Sequence, residues 1–167
     1  MPSKTTLVFG GLLLLVVMAS GRQIVVVNRC PQAINVQTLG NRPRFNPIGQ
    51  KRVEKGARAT FNFPQPWAGR LWADKAGSSL FELSVEGTDG PNQTIDYYNL
   101  SVIDGFNHPM TVKAIGGKGG DCRQLTCKDP NCKDAYQFWD DDRGKRGEQK
   151  KPVSGCKGAN YEVTFCP

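Results

Sequence analysis

The chain has 167 residues and a formal net charge of +7, from 22 Lys and Arg against 15 Asp and Glu. A chain of this length suits one domain that buries roughly two thirds of its unfolded surface, and we expect no second domain. A moderate positive charge keeps many proteins soluble and does not by itself indicate an acidic partner. No apolar run of about 20 residues is present, so the sequence predicts no transmembrane span.

The first 21 residues have the pattern of a secretory signal peptide. Lys4 precedes an apolar run at residues 12–18, which is followed by small residues at 19–21. We predict cleavage near Gly21, secretion to the extracellular space and one domain over residues 22–167. Because a secreted protein seldom meets nucleic acid, no nucleic-acid partner is expected.

Short apolar or alternating runs predict β-strands through the first half of the chain. Residues 23–27 are apolar and β-branched, residues 34–38 alternate between apolar and polar, and we expect the two runs to form a hairpin. Residues 58–63 alternate again, which places Phe61 and Phe63 on the inward face.

Alternation continues in the middle of the chain. Residues 81–85 place three apolar side chains on one face, so Glu82 points the other way, toward solvent or a groove. The stretch at residues 95–112 reads IDYYNLSVIDGFNHPMTV and predicts a strand that ends near Gly105, then a polar loop, then a second strand at 110–115. About eight such strands, without repeats or an amphipathic helix pattern, predict an all-β antiparallel sandwich.

The stretch at residues 95–112 closely resembles the DYYDVSLVDGFNLPM-type signature of thaumatin-like proteins. Two more blocks agree with the family pattern, VNRCP at residues 27–31 and CKGANYEVTFCP at residues 156–167. The segment GRLWA at residues 69–73 is similar to the family's GRVWGR or GKIWAR segment, which implies a further strand from which Arg70 projects. The resemblance covers nearly the whole predicted mature domain and implies a β-sandwich stapled by disulfides.

The chain departs from the family pattern in two places. Family members usually carry a cysteine-rich loop after the WAR-type segment, whereas here residues 72–74 run almost directly into residues 79–81. They also carry a cysteine-rich second lobe, whereas here residues 127–132 run straight into a CPDAY-like segment at 132–136. We therefore expect a shortened member in which the second lobe is missing.

Six cysteines follow the predicted signal peptide, and in a secreted chain disulfides are favoured over zinc ligation. Spacing alone leaves about 15 pairings open. The resemblance implies three of the family's pairs, and no metal or other cofactor is expected. The implied pairs are Cys30 with Cys166, Cys122 with Cys156, and Cys127 with Cys132.

The resemblance also implies a ligand-binding cleft. Thaumatin-like proteins carry an acidic cleft built from one Arg, one Glu and three Asp. Here an asparagine, Asn99, stands at the first Asp position, so only two of the three Asp positions keep their carboxylate. The matching positions are Arg70, Glu82, Asn99, Asp104, and Asp142 or, less favourably, its neighbour Asp141.

Three functions are compatible with these residues. The resemblance favours a secreted, monomeric defence protein that binds fungal β-1,3-glucan, or another cell-wall polysaccharide, through this cleft. The first alternative is a weak endo-β-1,3-glucanase with Glu82 as proton donor and Asp104 as its partner, because paired carboxyl groups can divide acid and base roles. The second is a non-catalytic protein-interaction module, an effector or an inhibitor. The amide at Asn99 and the missing lobe weigh against strong catalysis.

Other side chains bear on binding. Asn92 and Asn99 fit the N-glycosylation acceptor pattern, and a glycan on Asn99 would lie in the cleft itself. Trp67, in a predicted loop, is the best candidate for an exposed aromatic platform. His108, the only histidine, is interpreted as a surface loop residue, and the basic run at residues 143–151 as a solvated loop.

Overall fold

The computed structural model describes residues 21–41, 43–141 and 152–167. Within these ranges the chain forms thirteen β-strands and no α-helix. The described residues therefore contain no helix that is long and apolar enough to cross a membrane. The strands are β1 (Arg22–Asn28), β2 (Ile34–Gly40), β3 (Gln50–Val53), β4 (Arg58–Phe63), β5 (Ala68–Ala73), β6 (Leu80–Ser84), β7 (Asp96–Ser101), β8 (Met110–Ile115), β9 (Lys118–Gly120), β10 (Leu125–Cys127), β11 (Ala135–Tyr136), β12 (Val153–Lys157) and β13 (Asn160–Phe165).

The strands form two sheets, and most neighbours are antiparallel. The smaller sheet has the order β10-β8-β13-β1-β4, and the larger has the order β3-β2-β5-β6-β7-β12-β9, with β11 added beside β7. Among the strands of the described ranges, the pairs β1 with β13 and β7 with β11 are parallel and the others antiparallel. The predicted all-β, mainly antiparallel sandwich is therefore confirmed, with thirteen strands in the described ranges where about eight were expected.

Aromatic side chains from both sheets meet in the core around Tyr161. This residue, on β13 of the small sheet, lies with its ring centroid 5.8 Å from that of Phe81 and 5.2 Å from that of Tyr98, both on the large sheet. Phe63 packs on it from the small-sheet side at 6.4 Å. Buried rings of this size contribute on the order of 2–3 kcal/mol each by burial, so the cluster joins the two layers.

The predicted hairpin between residues 23–27 and 34–38 is wrong. Strand β1 pairs with β13 and β4 in the small sheet, whereas β2 pairs with β3 and β5 in the large one. The buried side chain of Asn28 fixes the crossing between the layers, since its Nδ2 donates to the carbonyls of Gln32 and Val53 and its Oδ1 accepts from the Cys30 N–H. The backbone polar groups in the connection from β1 to β2 are thus hydrogen-bonded without a hairpin turn.

Three disulfides staple the sandwich, and they are the same pairs that the family resemblance implies. They join Cys30 to Cys166, Cys122 to Cys156, and Cys127 to Cys132. The first links residues separated by 136 positions and ties the end of β1 to the residue after β13. In the chain-entropy model, a bridge that closes so long a loop contributes about 4–5 kcal/mol.

A buried ion pair also joins the two sheets. Arg22, the first residue of β1, donates through both terminal nitrogens to the carboxylate of Asp96 on β7, which is fully buried. Asp96 also accepts from the Tyr161 hydroxyl at 2.6 Å and from the Glu86 N–H at 2.9 Å. Burial and the bond to Asp96 raise the pKa of Tyr161 well above its ordinary value, so the hydroxyl remains a donor at all physiological pH.

Candidate functional site

Three of the predicted site residues lie side by side on the outer face of the large sheet. Arg70 on β5 is paired directly with Glu82 on β6, and Glu82 is paired directly with Asn99 on β7. Residues next to each of them in sequence point into the core, so strand alternation directs these three outward. Because adjacent strands are about 4.8 Å apart, the sheet sets the spacing of this row, which we call the Arg-Glu-Asn row.

The polar groups of this row are only partly satisfied by one another. Asn99 donates from Nδ2 to Oε2 of Glu82 at 2.8 Å, which fixes both side chains. Within the described parts of the chain, Arg70 makes no hydrogen bond or ion pair through its side chain. All three side chains are half-buried. The row therefore presents guanidinium donors beside a carboxylate and an amide that retain acceptor capacity.

The predicted acidic residues outside the row lie elsewhere or outside the described residues. Asp104 is exposed, in a turn beyond the end of β7 at Ser101. Its neighbour Gly105 has φ +131° and packs so closely on Gly77 that a Cβ there would come within 2.5 Å of the Gly77 carbonyl oxygen. This contact holds the turn against the loop between β5 and β6, at the end of the sheet.

The third acidic position of the family pattern is not placed by the structure. Asp142 and the basic run at 143–151 lie outside the described residues. Asp141 is described, and its Oδ2 accepts the backbone N–H groups of Gln137 and Phe138 at 2.6 and 2.9 Å. That carboxylate is thus engaged in organising its own turn.

The exposure of the aromatic side chains near the row differs from the prediction. Trp67, predicted as an exposed platform, is 1% exposed and belongs to the core; its Nε1 donates to the Asn46 carbonyl. Tyr97 is instead the exposed ring on this face, at 45% exposure, two residues before Asn99 on β7 and paired with Ser84. Trp67 lies where the chain passes from β4 of the small sheet to β5 of the large sheet, and its ring centroid is 6.2 Å from that of Phe63, so this large apolar ring is removed from water.

Trp72, on the outer face of the large sheet, has a side-chain N–H without a hydrogen-bond acceptor among the described residues. Trp72 follows Arg70 by two residues on β5, so the two side chains share the face. Its Nε1 is buried and has no hydrogen-bond partner in the described ranges. Buried donors without a hydrogen-bond partner are uncommon in folded proteins, and each one lowers the stability of the fold by about 1–3 kcal/mol.

Asp74 and His108, which are 34 residues apart, form a contact that no pattern in the sequence predicts. Nε2 of His108 lies 2.7 Å from Oδ2 of Asp74, while Oδ1 accepts the Asn35 N–H at 2.9 Å. Burial alone would raise the pKa of Asp74, but the bonds from Asn35 and His108 outweigh it and hold that pKa below its ordinary value. His108 is thus a half-buried loop residue that links the end of β5 to the loop before β8.

The two glycosylation acceptor patterns lie in different surroundings. Asn92 is exposed in the turn between β6 and β7. Asn99 lies within β7, flanked by β6 and β12, and its amide nitrogen is bonded to Glu82. Only the first is positioned to carry a glycan without loss of a contact in the folded chain.

Comparisons with known proteins agree on one type of relative. No family model matches the chain. It is 30% identical to pathogenesis-related protein 1A/1B of Hordeum vulgare, over 93% of this chain and 95% of that protein. It is also 29% identical to a thaumatin-like protein of Oryza sativa subsp. japonica, with 89% and 87% covered, and 30% identical to thaumatin-like protein 1a of Malus domestica. The chain spans only 59% of the length of the Malus domestica protein.

Solved structures show the same fold at lower identity. The thaumatin-like xylanase inhibitor TLXI superposes with a TM-score of 0.60 at 17% identity, over 86% of this chain and 99% of that one. The protein elicitor MoHrip2 from Magnaporthe oryzae superposes with a TM-score of 0.58 at 20% identity, over 88% and 100%. Both matches extend over essentially the whole of the other chain, so the short form of the sandwich described above has counterparts among solved structures.

Proposed function

Because the chain belongs to the thaumatin-like protein family, we propose that it is a secreted defence protein that binds fungal cell-wall β-1,3-glucan on the outer face of its large sheet. The Arg-Glu-Asn row supports this proposal most directly. Its three side chains lie on adjacent strands of a rigid sheet: Arg70 is a hydrogen-bond donor, Glu82 is an acceptor, and Asn99 can both donate and accept. Such a set matches the many hydroxyl groups of a sugar, each of which donates and accepts.

The charges of the row favour a neutral polymer. Arg70 and Glu82 carry opposite charges on paired strand positions, and Asn99 carries none. A polyanion would meet repulsion from Glu82, and a polycation would meet repulsion from Arg70. Tyr97, exposed on the same face, adds a ring on which the apolar side of a sugar can stack.

Export of the chain is part of the proposal. Three disulfides are typical of a protein that folds in an oxidising compartment. Cleavage near Gly21 would leave Arg22 in the mature chain, where it pairs with the buried Asp96. A cut that removed Arg22 would leave an uncompensated buried carboxylate, so the proposed cleavage position and the ion pair are compatible.

Binding without strong hydrolysis fits the row better than the glucanase alternative. Glycoside hydrolysis needs two carboxyl groups on either side of the scissile bond. The row supplies Glu82 alone, because Asn99 presents an amide where the family pattern has an aspartate. Asp104, the proposed partner of Glu82 in an enzyme, lies in the exposed turn beyond β7.

A protein-interaction module, an effector or inhibitor, remains the second candidate. Exposed large apolar side chains favour it, since aromatic residues are enriched at protein interfaces. Tyr97, Phe138 and Trp139 are all exposed. The structural neighbours described as an inhibitor and an elicitor are consistent with such a use of the fold.

A sedimentation assay on insoluble β-1,3-glucan separates these functions. The wild-type chain is expected in the pellet, and Arg70→Ala is expected to weaken retention about tenfold, because it removes the charged donor of the row. Arg58→Ala is the matched control, since Arg58 pairs with Glu162 on the small sheet. Its replacement lowers the net charge by the same amount as Arg70→Ala does. Equal and negligible retention of wild type and Arg70→Ala would exclude glucan binding and leave the interaction module.

A further inference from the structure

The outer face of the large sheet continues past the Arg-Glu-Asn row to a cavity at the sheet edge. The cavity has a volume of about 400 Å³ and lies on the β2–β3 hairpin. Its lining residues are Asn35, Val36, Gln37, Gln50, Lys51 and Arg52.

Strand register shows which of the lining side chains face outward. Gln37 pairs with Gln50, and Asn35 pairs with Arg52. Their neighbours Ile34, Val36 and Val53 are buried in the core, so these four polar side chains alternate to the outer face. Lys51 points the other way, where its Nζ donates to the Thr60 carbonyl.

The cavity and the row are joined through β5. Gln37 is paired directly with Trp72, which shares the outer face of β5 with Arg70. A line from Gln50 to Asn99 therefore crosses β3, β2, β5, β6 and β7 without leaving this face. Four gaps of about 4.8 Å give a length of roughly 19 Å, longer than one sugar ring.

We propose that the cavity at the β2–β3 hairpin is a second sugar-binding subsite, and that one neutral oligosaccharide binds across both it and the Arg-Glu-Asn row. This inference rests on the proposed function, because it assigns the ligand of the row a second contact point. Chains of several sugar units bind more tightly than short ones, since only the longer chains reach both.

The chemistry of the cavity matches neutral hydroxyl groups rather than an anion. The charge of Arg52 is compensated by Glu54, whose Oε1 lies 2.9 Å from its Nε. Gln37 donates from Nε2 to the Asp74 carbonyl, which orients the amide and leaves its carbonyl oxygen as an acceptor. Side-chain amides that both donate and accept predominate, as a polyhydroxyl ligand requires.

Isothermal titration with β-1,3-linked glucose oligomers of increasing length tests the proposal. Affinity of the wild type is expected to rise with length until the oligomer spans both regions. The double variant Gln50→Ala, Arg52→Ala is expected to bind the longest oligomer about tenfold more weakly and the shortest one as the wild type does. Lys113→Ala is the matched control, because this exposed side chain lies on β8 of the small sheet, in the other layer, and its loss lowers the net charge by the same amount.

The outcomes distinguish the subsite from the proposed function. Equal affinity of the double variant and the wild type for the longest oligomer, with insoluble glucan still retained, would overturn the subsite alone. Loss of binding in Lys113→Ala as large as in the double variant would also overturn it, since the effect would then arise from the lost charge and not from the cavity. No retention of insoluble glucan by the wild type would overturn both proposals.

Discussion

Asn99 on β7 donates a hydrogen bond from Nδ2 to Oε2 of Glu82 on β6, at 2.8 Å. The family pattern has an aspartate at this position, which could not donate when ionised. The amide thus removes a repulsion between two carboxylates on directly paired positions of the sheet. This chain has an arginine and a glutamate where the family pattern has them, and the amide at the third position places a hydrogen bond where the pattern would place a charge repulsion.

Asn99→Asp should destabilise the protein in a pH-dependent way. It replaces the hydrogen bond by two carboxylates on paired strands, and like charges in such positions cost about 0.2–1 kcal/mol. The difference from wild type should be smallest in acid, where the repulsion is absent, and should grow as the pH rises. Urea unfolding at several pH values measures it. Asn99→Ala serves as the control, because it loses the hydrogen bond without adding charge, and its deficit should grow less with pH than that of Asn99→Asp.

Asp96→Asn should be among the most destabilising single changes in the chain. It leaves the guanidinium of Arg22 facing a buried neutral amide, and breaking a buried pair costs about 3–5 kcal/mol. Asp89→Asn makes the same chemical change at an exposed position and should alter stability by about 0.5 kcal/mol or less. Urea unfolding of both variants is the measurement. Equal stability of the two variants would show that the pair does not hold the sheets together.

The alternation of residues predicted strands in both sheets but not how they pair. Residues 58–63, now β4 of the small sheet, and a strand from residue 95 to near Gly105, of which β7 of the large sheet covers Asp96–Ser101, were predicted because one face is apolar, which is the property that a buried sheet face requires. The hairpin between 23–27 and 34–38 was wrong because a period of two identifies a strand and not its partner. Strand β3 was missed, since as an edge strand it exposes three of its four residues and has no apolar face to detect.

Of the candidate site, only the Arg-Glu-Asn row, whose residues lie on directly paired strands, could be predicted from the sequence. Arg70, Glu82 and Asn99 were predicted through the family pattern, and the register of three strands brings them together. Trp67 was predicted to be exposed and is buried, because a ring in a predicted loop can turn either way, whereas the exposed ring is Tyr97 on β7. Contacts between loops distant in sequence leave no periodic signal.

Acid should weaken the fold through Asp74. The pKa of this carboxyl is held below its ordinary value despite burial, by the Asn35 N–H and His108. A depressed folded-state pKa stabilises the fold above the unfolded value of about 4, and this stability is lost as the pH falls through the folded-state value. Asp74→Asn should therefore flatten the acid side of the stability profile, and His108→Ala should do so in part. Parallel acid profiles of Asp74→Asn and wild type, from thermal unfolding at pH 2–6, would contradict this account.

Glycosylation in a eukaryotic secretory host should occur at Asn92 and not at Asn99. Asn92 is exposed in a turn, whereas Asn99 is half-buried in β7 with its amide bonded to Glu82. Intact mass before and after enzymatic deglycosylation should show one glycan in the wild type and in Asn99→Gln, and none in Asn92→Gln. A glycan on Asn99 would cover the Arg-Glu-Asn row and would contradict binding at that surface.

Hydrolysis of soluble β-1,3-glucan should be negligible, even where binding is observed. Retaining and inverting mechanisms place two carboxyl groups about 5–5.5 Å and about 6.5–9.5 Å apart, respectively, and the row contributes only the carboxyl group of Glu82. Release of reducing sugar from laminarin should thus be the same for wild type, Glu82→Gln and Asp104→Asn, at the level of the buffer. Glu82→Gln should bind glucan somewhat more weakly, because an amide oxygen accepts less strongly than a carboxylate. Release by wild type that disappears in Glu82→Gln would instead establish the glucanase, and Asp104→Asn would then show whether the exposed turn supplies the second carboxyl group.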